Sequence, residues 1–148
     1  MSSFQTLAWI SKSRTLRLLD QRRLPNEEVF LECKTLSHVT DAIKTLAVRG
    51  APAIGVAAAY GVVVGIQEEL DRSRAISENK LAQIIAQLAA TRPTAVNLFW
   101  ALERMKKVAG RGFKNDLNGA ELRDQMLKEA DLIFAEDERD HRLLGQHG

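Results

Sequence analysis

The chain has 148 residues, 45% of them hydrophobic and 27% charged, a composition that fits one soluble globular domain with a core of its own. Its 21 basic and 19 acidic residues are interspersed and leave a net charge of +2, so composition gives no reason to expect a nucleic-acid or membrane partner. The single cysteine, Cys33, excludes an internal disulfide, and no paired-cysteine spacing points to structural zinc. A reducing cytoplasm is the expected compartment.

The amino terminus, MSSFQTLAWISKSR, is too polar for a secretory signal. Leu7 and Trp9, then Leu16 and Leu18, alternate with period two around a polar turn, Ser11-Lys12-Ser13. They predict two short strands. Leu24-Pro25-Asn26 breaks the chain, and Val29-Phe30-Leu31 predicts a third, completing a small antiparallel sheet.

From Ser37 the period becomes helical. Ser37 is the expected cap of a helix carrying Val39, Ala42, Ile43 and Leu46 on one face, because a hydroxyl there accepts an unpaired backbone N–H. The charge-free run Ala51 to Gln67 falls short of the roughly 18 to 20 apolar residues of a membrane span and predicts a buried central helix. Leu81, Ile84, Ile85 and Leu88 then mark an amphipathic helix, expected to stop near Thr91-Arg92 because Pro93 follows. The next helix is expected from Pro93-Thr94, carries Leu98, Leu102 and Met105, and ends in the basic Arg104 to Lys107, where cations suit the negative end of the dipole. Gly110-Arg111-Gly112 reads as a loop. Asn118 and Glu121 form a capping box before a last helix with a stripe of Leu122, Met126, Ala130 and Ile133.

Two helix starts carry candidate ligand residues. In Arg49-Gly50-Ala51-Pro52, glycine permits a tight turn and proline suits the first helical turn, so the N–H groups of Gly50 and Ala51 would sit with the helix dipole beside a guanidinium. That arrangement suits a phosphate or a sugar hydroxyl. The small residues that follow it equally suit a close-packed core helix, and the two readings are compatible. Arg92, before another proline in TRPTAVN, could share the same cleft, although an arginine there can also serve as a surface residue or carbonyl cap. His38, His141 and His147 have no metal-ligand spacing, the run Glu136 to Asp140 mixes signs as a solvated helix face does, and Trp9, Phe99 and Trp100 read as core or interface aromatics.

Four segments carry a resemblance: LLDQRRLP (18–25), VRGAPAIGVAAAYG (48–61), RPTAVNLFWAL (92–102) and EDERDHRLLGQHG (136–148). In order and spacing they resemble the amino-terminal part of the methylthioribose-1-phosphate isomerase family. Its wider superfamily includes ribose-1,5-bisphosphate isomerases and regulatory subunits of a translation-initiation exchange factor. The resemblance implies an α+β fold, with a small antiparallel β-sheet (1–35) followed by a mostly helical bundle (36–148), together one amino-terminal domain. It implies an aldose-ketose isomerisation of S-methyl-5-thioribose 1-phosphate in methionine salvage, with Arg49, Gly50, Ala51 and Arg92 contacting the sugar phosphate.

No cofactor or metal is implied, and the family enzyme is expected to be a cytoplasmic homodimer. Family members continue into a Rossmann-like domain that supplies a catalytic cysteine in a THCNTG-like segment and an aspartate proton donor. Neither segment occurs in these 148 residues. That domain is therefore expected to be absent, and no catalytic residue is assigned; Cys33, in FLECKTL, lies outside the motif. The expectation is a substrate-binding part that is inactive alone. The alternatives are a ribose-1,5-bisphosphate isomerase and a non-catalytic regulatory or scaffold module.

Overall fold

The computed structural model describes residues 7–45, 47–48 and 50–147, with side chains described as far as residue 138. Three antiparallel strands, β1 (Leu7–Ile10), β2 (Thr15–Leu19) and β3 (Phe30–Cys33), form a sheet in that order. Leu7, Leu18 and Leu31 lie in one cross-strand row and Trp9, Leu16 and Cys33 in the next. Because side chains alternate along a strand, both rows share one face, and that face closes over the helices. On the opposite face the Arg17 guanidinium lies 4.3 Å from the centre of the Phe30 ring. The third strand runs two residues further than the sequence suggests, to Cys33.

Helix α1 (Leu36–Lys44) is capped by Thr35, whose hydroxyl accepts the His38 N–H at 3.2 Å. The expected cap, Ser37, is already inside the helix. Thr35 has the extended backbone, φ −127° and ψ 159°, that lets a cap hydroxyl reach the first free N–H groups.

Helix α2 (Ala51–Asp71) is the axis of the molecule, and every residue from Ile54 to Gln67 is buried. It is long and apolar enough to cross a membrane, but 83% of its apolar window is covered by this protein's own elements. A helix enclosed on all sides needs no polar face. The other helices orient themselves along it. Leu88 and Ile84 of α3 (Glu78–Ala89) lie over Gly61 and Gly65, so α3 runs antiparallel to α2.

Helix α5 (Gly119–His147) is antiparallel too. Its Arg123 donates to Gln67 at 3.1 Å, and its Asp131 accepts from the Tyr60 hydroxyl at 2.6 Å. Tyr60 also stacks on Trp9, with ring centres 5.7 Å apart, and takes the edge of Phe134. The capping box forms as expected: Asn118 Oδ1 accepts the Glu121 N–H at 2.8 Å, and Glu121 Oε1 accepts the Asn118 N–H at 2.9 Å. Leu122, Met126, Ala130 and Ile133 are all buried.

Helix α4 (Val96–Lys114) departs most from expectation. It starts after a turn in which Arg92 O accepts the Ala95 N–H, and it runs straight through Gly110-Arg111-Gly112, the predicted loop. Gly112 is there for close approach, since a β-carbon at that position would lie 2.8 Å from Leu122 Cδ1 of α5. Arg104 therefore sits in the middle of the helix instead of at its end. It donates through Nε to Glu129 and through both terminal nitrogens to Glu136 at 2.7 Å, with its guanidinium over the Trp100 ring. These bonds push its pKa further up, Glu136 contributing most. Val96, Phe99 and Trp100 form an exposed apolar strip on α4, so the latter two are not core aromatics.

Gly110 has open space where a β-carbon would go. Gly110→Ala is expected to stabilise the protein by about 0.5 to 1 kcal/mol, because alanine loses less backbone freedom in a helix than glycine does. A thermal melt should rise by roughly 2 to 4 °C. A lower melting temperature would mean that the helix is not regular there.

Candidate anion site at two helix starts

The helices differ in how their first N–H groups are satisfied. Those of α1, α3 and α5 meet side-chain caps: Thr35, Ser77 (accepting the Lys80 N–H at 3.0 Å) and Asn118. The residues before α2 and α4 are Gly50 and Ala95, and neither supplies a side-chain cap bond. The first N–H donors of these two helices therefore have no acceptor from their own cap residue.

The two uncapped starts lie side by side. A β-carbon at Gly55, in the second turn of α2, would come within 2.9 Å of the Asn97 carbonyl oxygen in the first turn of α4. Gly112 of α4 packs on Leu122 near the start of α5, while Arg104 bonds to residues further along it, so α4 is antiparallel to α5. Since α5 is itself antiparallel to α2, helices α2 and α4 run parallel. Their positive dipole ends open on the same end of the bundle.

Gly50 stands at the mouth with φ +92° and ψ 130°, a conformation that L side chains rarely adopt. Gly50 and Ala51 are exposed, and Arg92 is half-buried on the turn into α4. The structure thus brings Gly50, Ala51 and Arg92 to one end of the fold. Arg49 lies outside the described residues.

The backbone leading to Gly50 is held from two directions. The N–H groups of Ala47 and Val48 both donate to Ala42 O, at 2.9 and 3.3 Å, and Ala47 O accepts the Gln21 N–H at 2.9 Å. Gln21 opens a single turn of 3-10 helix, Gln21–Arg23, capped by Asp20. The Asp20 side chain is only 1% exposed and binds Arg22 through a fork, Nε to Oδ1 and Nη2 to Oδ2, both at 2.8 Å. The Arg22 hydrogen bonds hold the Asp20 carboxyl below the usual carboxylate range. Spacing along the chain singled out neither residue. The signs were an acid two residues from an arginine at a strand end and the place of both in the LLDQRRLP segment.

The other reactive groups serve the fold. Cys33 is 1% exposed, and burial pushes its thiol up to about 11, which keeps it protonated near neutral pH. His38 Nδ1 accepts the Lys34 N–H at 3.1 Å and so braces the start of α1. The side chains of His141 and His147 lie outside the described residues. Among the described residues no three His, Cys, Asp or Glu side chains gather as a metal site would require.

The 5-deoxyribose 1-phosphate isomerase of Bacillus thuringiensis is 48% identical over 136 residues, covering 92% of this chain and 39% of that protein. The methylthioribose-1-phosphate isomerase of Thermotoga neapolitana is 47% identical over 144 residues, covering 97% of this chain and again 39% of the relative. The chain therefore spans well under half the length of the curated relatives it matches. The crystal structure of translation initiation factor eIF-2B, subunit delta, from A. fulgidus superimposes with a TM-score of 0.77 at 36% identity, covering 90% of this chain and 37% of that one. Residues 47–148, which carry α2 and α4 with their uncapped starts, match the model of the initiation factor 2 subunit family, and the chain belongs to that family.

Proposed function

We propose that this chain is the phosphate-holding part of a sugar-phosphate aldose-ketose isomerase. Its substrate is a ribose 1-phosphate with an uncharged 5-position, S-methyl-5-thioribose 1-phosphate foremost. The observation that carries this reading is the pair of uncapped helix starts, set side by side, with Gly50 and Ala51 opening one and the Arg92 turn leading into the other. A phosphate ester is met there by backbone N–H groups, two aligned dipoles and the guanidinium groups of Arg92 and Arg49. The relatives' names support the same class of substrate, since both specify a sugar 1-phosphate. Neither named sugar carries a charge at C5, which favours them over ribose 1,5-bisphosphate, whose second phosphate would need cations of its own.

A sugar phosphorylated at its anomeric carbon cannot open its ring freely. Isomerisation to S-methyl-5-thioribulose 1-phosphate needs assisted ring opening and then a hydrogen moved between C2 and C1 by a positioned acid or base. On this reading those groups belong to the part of the relatives' length that this chain does not span. The full-length protein works in methionine salvage as a cytoplasmic homodimer without a cofactor. The 148-residue chain binds the ester weakly and does not turn it over.

The test is a ¹H–¹⁵N NMR titration of the chain with S-methyl-5-thioribose 1-phosphate. Saturable shifts at Gly50 and Ala51 are expected, weakened by Arg92→Ala, with no ketose phosphate formed. Steady-state turnover by the purified chain would refute the division of labour, and silence at Gly50 and Ala51 would refute the site. A second reading, a regulatory or scaffold module, draws on the similarity to the initiation-factor subunit and on the exposed Val96, Phe99 and Trp100. It predicts that silence.

A further inference from the structure

We propose that Asp20, Arg22 and Thr45 form a clamp that sets the position of the Gly50–Ala51 turn, making Arg22 a positioning residue for the phosphate site. This inference rests on the proposed function above and adds residues that neither spacing nor a ligand contact reveals.

The clamp begins at the end of β2. There the inaccessible Asp20 carboxylate takes the Nε and Nη2 groups of Arg22 and also its backbone N–H, at 3.1 Å. Two bonds in a fork fix the plane of the guanidinium, which a single contact cannot do. The remaining terminal nitrogen, Nη1, is left aimed at the Thr45 hydroxyl, to which it donates at 3.2 Å.

Thr45 is the C-cap of α1, and its hydroxyl in turn donates to Asp41 O at 2.7 Å. One turn of chain therefore grips both the end of α1, through Arg22, and the Ala47 carbonyl, through the Gln21 N–H. Ala47 and Val48 are buried, and Gly50 follows with its left-handed φ. Without the Arg22–Thr45 bond, Ala47 keeps its bonds to Ala42 O and to the Gln21 N–H, but the end of α1 loses its side-chain tie to that turn. Phosphate N–H donors must converge to be worth more than water, so loosening this tie acts on affinity more than on folding.

The experiment is the same titration, run with 5-deoxyribose 1-phosphate on the unsubstituted chain and three variants. Thr45→Val keeps the shape of the side chain and removes the hydroxyl, Thr45→Ser keeps the hydroxyl, and Arg22→Lys keeps the charge and removes the fork. Thr45→Val and Arg22→Lys are each expected to weaken binding about fivefold to tenfold, as the loss of one charge-assisted hydrogen bond would, Thr45→Val with a melting temperature close to the parent's and Arg22→Lys with a lower one because Asp20 loses its fork. Thr45→Ser restores binding. The double variant Arg22→Lys with Thr45→Val is no weaker than Arg22→Lys alone, because the Thr45 bond is already lost there.

If Arg22→Lys binds like the parent, arginine acts only as a charge and the clamp is wrong while the phosphate site stands. If Thr45→Ser is as weak as Thr45→Val, the hydroxyl is not the contact and the clamp is again wrong. Absence of binding by the unsubstituted chain removes the site and the clamp together.

Discussion

Gly55→Ala is expected to destabilise the protein by about 2 kcal/mol, a fall of roughly 6 to 8 °C in melting temperature for a chain of this length. Alanine in place of glycine in a helix interior ordinarily gains up to about 1 kcal/mol, so the expected sign is opposite to the one helix propensity gives. The reason is what the new methyl meets. At 2.9 Å its neighbour is the Asn97 carbonyl oxygen, a backbone atom in the first turn of α4 that cannot rotate aside.

Either α4 moves away from α2 or its first turn distorts. In both cases the two helix starts separate, so under the proposed function the variant should also bind sugar phosphate more weakly. Gly110→Ala is the control, because a β-carbon there meets nothing within 4 Å. Differential scanning calorimetry on both variants decides the matter. Equal melting temperatures for Gly55→Ala and the parent would show that α2 and α4 are not packed this closely.

The second large effect is expected at Arg104. Arg104→Met keeps the aliphatic stem and deletes the charge between Glu129 and Glu136. The side-chain exposures are 23% for Arg104, 17% for Glu129 and 40% for Glu136, which places the cluster between a surface pair and a buried one. Surface pairs contribute about 0 to 1 kcal/mol, whereas breaking a buried pair costs about 3 to 5, so a loss of about 2 kcal/mol is expected here.

Most of that loss is the removal of the positive charge that Glu129 and Glu136 share. The triple variant with Glu129→Gln and Glu136→Gln should therefore recover more than half of it, read as the urea midpoint. If the triple variant is as weak as the single one, the two carboxylates are not the source of the loss and the charge argument fails.

The legible parts of this fold were those that chemistry writes locally. Period-two alternation located Leu7, Trp9, Leu16 and Leu18 on their strands, and the Asn118–Glu121 box with its three- and four-residue stripe located α5. Helix α4 was misread at both ends for a related reason. Gly110 and Gly112 resemble a loop by propensity, but the packing stripe from Leu98 to Gly112 continues through them against α5, and tertiary contact overrides propensity.

The candidate site was half legible. The turn at Gly50 before α2 was read from the sequence, but α4 was expected from Pro93-Thr94 and its start after Ala95 was not; the two starts becoming neighbours depends on the parallel run of α2 and α4, which no local pattern encodes. The pairing of Arg22 with Thr45 is of the same kind, since residues that far apart in the chain leave no periodic trace. The Ser37 misreading is smaller. Both Thr35 and Ser37 have a suitable hydroxyl, and only backbone geometry chooses between them.

Helix α2 has a consequence for how such a protein can diverge. From Ile54 to Gln67 every position is enclosed by neighbours, while the exposed residues at its start stand at the candidate site. A substitution along most of its length disturbs the scaffold before it can alter what is bound. New substrate preferences in descendants of this chain would therefore be expected to arise on the surrounding loops, with the axis itself passed on nearly unchanged.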